Sequence, residues 1–161
     1  MRMKSEYEEA HMLLISYLIA TLNLRFRMTD KKAALDVAKL LQLKPDVLGT
    51  QECSRSSRMA ALWRVAEKFG YGIAQDGSPM PILFRADRFL LVKSWTTFLS
   101  PRKFVGLPGA GLSPWYPENR ASVLVLRDKA TLKLSVHVNV HLVASNYLPI
   151  RRGLHKLQLA N

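Results

Sequence analysis

Residues 131–142, TLKLSVHVNVHL, alternate without a break: Leu132, Leu134, Val136, Val138, Val140 and Leu142 fall on one side, and Lys133, Ser135, His137, Asn139 and His141 on the other. Successive strand residues face opposite sides of a sheet, so this period admits a β-strand and excludes a helix. The strand has two chemistries, an apolar face that needs cover and a polar face bearing two histidines and an asparagine. The preceding ASVLVLR forms a hairpin with it around Asp128 to Ala130.

Upstream the pattern differs. The apolar run MLLISYLIATLNL, residues 12–24, is short for a membrane span, which needs about 20 residues, and runs into Arg25 and Arg27. Leu18 to Phe26 reads instead as a mostly buried strand. Thr29 or Asp30 caps a helix with Ala34, Ala38 and Leu41 at i, i+4 and i+7, which must end before Pro45. Asp46 to Gln51 is a second strand. Ser54 offers the next cap, Met59, Leu62, Trp63, Ala66 and Phe69 form one apolar face, and Gly70 supplies the stop. From Tyr71 the helices give way to strands with short turns: YGIAQ, DGSP, PILFR, ADR and FLLVKSWTTFL.

Residues 106–118, GLPGAGLSPWYPE, form a loop by composition, and their glycines lack the Gly-Lys-Ser/Thr ending that cradles nucleotide phosphates. Pro149 and the following IRRGLHKLQLAN begin a helical pattern. Residues 1–11 read as an exposed extension, with Glu6, Glu8 and Glu9 opposing a secretory leader, and Met12 as an alternative start. Residues 12–161 make one domain without internal repeat or linker.

Charge narrows the partners. Among 161 residues, 24 Lys and Arg stand against 12 Asp and Glu, a net +12. Such a surface attracts polyanions, of which nucleic acid is the commonest and an anionic membrane surface the next; a solvated basic face is the plain alternative. Cys53, the one cysteine, excludes an internal disulfide and a cysteine-rich zinc site, and fits a buried thiol in a reducing, cytoplasmic setting.

Three polar points interrupt the apolar strands: Asn23 in ATLNLRF, Glu52 in VLGTQE, and Asn139 with His141 in VNVHL. A buried carboxylate is expensive unless it is paired or holds a metal, so Glu52 needs a partner: an arginine, a helix terminus or a cation. At the carboxyl end of a strand leading into a helix, it sits where open α/β sheets bind ligands. His137 and His141 share a face, but about 13 Å of strand separates them, too far for one zinc ion.

An asparagine in the first strand, Gln-Glu closing the second, ILFR followed by DRF, and a later Asn-x-His-Leu strand occur in the order that resembles the endonuclease/exonuclease/phosphatase family, from about Leu18 onward. The resemblance implies an α+β fold, the N-terminal half of a four-layer α/β/β/α sandwich with mixed, largely antiparallel sheet, and a metal-dependent phosphoesterase, nuclease-like in its hydrolysis of phosphodiester bonds. It implies Glu52 and Asn23 at Mg²⁺ or Mn²⁺, and His141 as hydrogen-bond donor to the scissile phosphate, the catalytic set being His141, Asn23 and Glu52. Arg120 and Asn139 are the candidate phosphate contacts. In many members a further Asn or Glu precedes the strand equivalent to PILFR; here Asp76 and Ser78 stand in that region.

Members of the family are longer, and neither their Asp-x-Asn pair nor their terminal Asp-His pair follows His141. The expectation is a first half with one sheet, whose inner face of Val136, Val138 and Val140 lacks a covering layer. Such a chain is a truncated enzyme, a subunit completed by a second polypeptide, or a basic nucleic-acid-binding remnant without catalysis.

Overall fold

The computed structural model describes residues 16–25, 27–74, 79–100, 103–104, 115–116 and 119–141. The extension at 1–11, Asp76, Ser78, Leu142 and the helical pattern after Pro149 lie outside them.

The chain opens as β1 (Ile19–Asn23), α1 (Asp30–Gln42), β2 (Val47–Gln51) and α2 (Ser56–Lys68). Then come β3 (Tyr71–Ala74), β4 (Ile82–Arg85) and the long β5 (Phe89–Ser100). Two short strands, β6 (Lys103–Phe104) and β7 (Trp115–Tyr116), pair with each other, so Trp115 and Tyr116 are strand where composition gave loop. The hairpin of β8 (Asn119–Asp128) and β9 (Leu134–Val140) closes the described part.

Thr29 caps α1, its side chain accepting from the Lys32 N–H. The buried row of α1 is Ala33, Val37 and Leu41, one position before the expected Ala34 and Ala38. Both rows are apolar, and the larger Val37 decides which one faces inward. In α2 the cap position belongs to Arg55, not Ser54, and makes no side-chain cap bond. Its buried face holds Arg58, Met59, Leu62 and Ala66, while Trp63 is exposed. Gly70, at φ 73°, ends the segment as only glycine does without strain.

Among the described residues two main sheets form where one was expected. The first has the order β1-β2-β4-β3, with β1 parallel to β2 and the remaining pairs antiparallel; the second has the order β5-β8-β9, all antiparallel. Both helices cover one face of the first sheet, burying Leu48, Leu62, Leu83 and Val37 among others. The other face packs on the second sheet through Val47, Ile82, Phe84, Phe89, Leu124 and Leu126. β2 is therefore buried at all five positions, as expected of a central strand covered on both faces.

Arg88 ties the two sheets at one end. Its guanidinium is 2.8 Å from the Asp46 carboxylate and 3.0 Å from that of Asp128, and it stacks on Tyr17 and Phe89. The Thr131 backbone N–H first, then the Arg88 guanidinium, hold the Asp128 carboxyl below the usual carboxylate range.

The faces of β9 are reversed from the expected arrangement. Ser135, His137 and Asn139 turn toward the first sheet, and Val136 and Val138 are 63 % and 60 % exposed on the far side. The polar side turns inward because the first sheet offers hydrogen-bonding groups opposite it, and the apolar side has no covering layer among the described residues.

Candidate active site

The site forms where β1, β2 and β9 end at the same rim. Asn23 is the last residue of β1 and pairs in register with Gln51, the last of β2. The parallel pairing thus brings Asn23 and Glu52, the next residue, to the same edge. From the second sheet, β9 delivers His141 to this edge directly after Val140.

Three polar heads meet there. The Asn23 amide nitrogen donates to Glu52 Oε1 at 2.9 Å and lies 3.3 Å from His141 Nε2. His141 Nε2 and Glu52 Oε1 are 3.6 Å apart. The Asn23 amide is itself aimed, since its Oδ1 accepts from the Arg25 N–H at 2.8 Å. Two of the turn residues hold a left-handed backbone without being glycine: Glu52 at φ 63° and Arg25 at φ 46°. Non-glycine residues occupy this region at a cost of about 1–3 kcal/mol and persist where the surroundings fix them.

Asn139 stands behind the site, buried between the sheets. Its amide nitrogen donates to the carbonyls of Thr50 and Met80, and its oxygen accepts from the Gln51 amide at 2.7 Å. The Gln51 amide nitrogen also donates to the Thr21 hydroxyl at 2.8 Å. This network locks β9 onto β2 just inside the rim. It also explains the glycine in VLGTQ: a Cβ on Gly49 would sit 3.0 Å from the Asn139 side chain.

Arg120 precedes Ala121, which pairs with Val140, so it lies on the strand next to His141. Its guanidinium sits 4.6 Å over the ring of the exposed Phe98. His137 lies apart, 3.0 Å from the Ser135 hydroxyl and edge-on to Tyr17, and burial pushes its pKa down. Cys53 is buried, and burial pushes its thiol pKa up, which keeps it protonated and unreactive.

The structure thus brings Asn23, Glu52 and His141 together, sets Arg120 on the adjoining strand, and places Asn139 in support. One residue was missed from sequence: Arg58, wholly buried beneath the site. Its signal was an arginine on the apolar row of α2 with Leu62 and Ala66, hidden by assigning Trp63 to that row.

No protein-family model and no curated protein matches the sequence. Solved structures do. An endonuclease/exonuclease/phosphatase from Bacteroides vulgatus superposes with TM-score 0.56 at 21 % identity, over 76 % of this chain and 51 % of its own. ANGEL2, a 2′,3′-cyclic phosphatase, superposes with TM-score 0.62 at 19 % identity, over 89 % of this chain and 45 % of its own. TDP2 from D. rerio, solved with a single-strand DNA product, gives TM-score 0.61 at 16 % identity, over 88 % and 52 %. The chain has the endonuclease/exonuclease/phosphatase fold, an α+β architecture, and spans about half the length of these structures. No described helix is long and apolar enough to cross a membrane.

Proposed function

We propose that the chain is a phosphoesterase domain that hydrolyses phosphodiester bonds with the help of Mg²⁺ or Mn²⁺. The observation that carries this reading is the meeting of Asn23, Glu52 and His141 within 3.6 Å at one rim, on a fold found in phosphatases and in a DNA-bound relative.

The donor set fits a hard cation. Glu52 offers a carboxylate with 24 % of its side chain exposed, and the described residues hold no cluster of three or more His, Cys, Asp or Glu. One carboxylate with water in the remaining positions suits Mg²⁺, which keeps several waters, and does not suit a closed zinc site. Bound beside Glu52, the cation would neutralise charge on the phosphate.

The chain's own residues divide the remaining work. Asn23 keeps Glu52 Oε1 oriented, and with its oxygen turned to the Arg25 N–H it acts on the carboxylate more than on the cation. His141 turns Nε2 to the same rim, where its imidazole N–H would donate to a phosphate oxygen as charge develops there. Arg120 offers a planar fork to a neighbouring phosphate. Asn139 supports from behind by fixing His141's strand against Glu52's strand. The net charge of +12 fits a polyanionic substrate, DNA or RNA before a small phosphate ester.

The same charge favours a second reading, nucleic-acid binding without hydrolysis. The two separate in a cleavage assay on single- and double-stranded DNA and RNA with and without Mg²⁺. Metal-dependent cleavage that Glu52→Gln abolishes, with an unchanged circular dichroism spectrum, supports the enzyme. Full activity in Glu52→Gln removes the metal assignment. Salt-sensitive binding with no cleavage by any metal selects the second reading.

A further inference from the structure

We infer that Arg58 is the positioning residue of this site, a single buried guanidinium that sets the backbone under both Glu52 and Asn23. The inference rests on the metal-dependent reading above. Arg58 sits in the first turn of α2, and its side chain has no solvent exposure. Its Nη1 donates to the Glu52 carbonyl at 2.9 Å and to the Arg25 carbonyl at 3.3 Å; its Nη2 donates to the Met28 carbonyl. Its Nε lies 3.3 Å from Asp30 Oδ1, and Asp30 in turn accepts from the Ser57 hydroxyl at 2.6 Å.

The two carbonyls taken by Nη1 belong to Glu52 and Arg25, the two left-handed residues of the site. Arg25 is used from both sides: its N–H aims the Asn23 amide, and its carbonyl is held by Arg58. One planar group therefore spans the turn after β1 and the turn after β2, and fixes the distance between the carboxylate and the amide that orients it. Only a guanidinium does this, because its donors form a rigid fork that a lysine ammonium cannot reproduce. A wholly buried cation is a costly device for holding two loops together, and replacing such pairs by apolar groups is often neutral or stabilising. What an apolar replacement would not keep is the geometry of the two turns. Groups standing behind a metal ligand typically change metal affinity 10- to 100-fold when altered.

The test is a Mn²⁺ titration of the full chain, read by the electron paramagnetic resonance of free Mn²⁺, with thermal unfolding on the same samples. Arg58→Lys is compared with wild type, Glu52→Gln and the double variant. Arg58→Lys is expected to weaken Mn²⁺ binding about 10-fold while remaining folded at the titration temperature. In the Glu52→Gln background the same change is expected to have no further effect on binding, although any loss of melting temperature persists there. A merely structural arginine would lower the melting temperature in both backgrounds and leave Mn²⁺ affinity alone, and that result overturns the inference. Should Arg58→Lys not fold, Asp30→Asn takes its place; it keeps an acceptor for Nε but removes the carboxylate charge beside the guanidinium, and is expected to weaken binding by less than Arg58→Lys does, with unchanged affinity overturning the inference. Wild type that binds no Mn²⁺ overturns the metal reading itself, and is told apart from the former outcome by the absence of any Glu52-dependent binding to compare.

Discussion

The two faces of β2 are built on different physics. Toward the helices, Leu48 joins an apolar layer with Leu62, Leu83 and Val37, all at or near zero exposure. Toward the second sheet, the same strand runs from apolar Val47, through Gly49, to Gln51 bonded to Asn139. The first face gains its stability from burial, which is non-directional and tolerates repacking. The second becomes directional as it nears the rim, because each buried amide there must find its partner. The fold rests on the helix side, and the placement of His141 against Glu52 rests on the sheet side.

The largest effect expected from that contrast is on the helix side. Leu62→Ala removes a wholly buried side chain and should destabilise the chain by about 3 kcal/mol, read as a fall in urea midpoint. Mn²⁺ binding per folded molecule should stay at the wild-type level. A loss of binding while still folded would show that the apolar packing of the helix layer, and not Arg58 alone, sets site geometry.

Next comes Asn139→Ala, expected to cost about 2 kcal/mol by stranding the Gln51 amide and the Thr50 carbonyl. Here stability and site should fail together, because β9 loses its register clamp to β2. Chemical unfolding paired with a Mg²⁺-dependent cleavage assay checks it; cleavage at the wild-type rate in the folded variant would leave the clamp without a functional part.

The smallest effect concerns His137. Burial lowers its pKa below the ordinary 6.5, so the unfolded chain takes up a proton more readily than the folded one. Stability is full above that value and falls as pH drops below it. Melting temperatures between pH 5 and pH 8 should decline toward acid in wild type, and His137→Gln should flatten that part of the slope.

Much of the architecture was legible in local pattern. The strand and helix order through Phe89, the Thr29 cap and the Gly70 stop follow from period and capping chemistry, which act over a few residues. The rim residues Asn23, Glu52 and His141 were legible as polar breaks at strand ends. What local pattern could not supply was the partner of each face. The alternation in β9 correctly divides it into two faces, yet hydrophobicity alone chose the wrong one as inner, since Gln51 and Thr50 lie far away in sequence. The one-residue offset in α1 and the burial of Arg58 have the same origin: which row faces inward depends on what stands opposite.

Arg88 carries a consequence for how fast this chain can fold. Its guanidinium closes a contact between Asp46, immediately before β2, and Asp128, at the end of β8. No local element brings those carboxylates together, so the bridge can form only after both sheets have largely assembled. Loop-closure entropy must be met before such distant contacts return any free energy, and chains dominated by them fold on a timescale of about milliseconds to seconds. The strain-bearing rim is assembled across the same two sheets, so the site, too, exists only where both are in place.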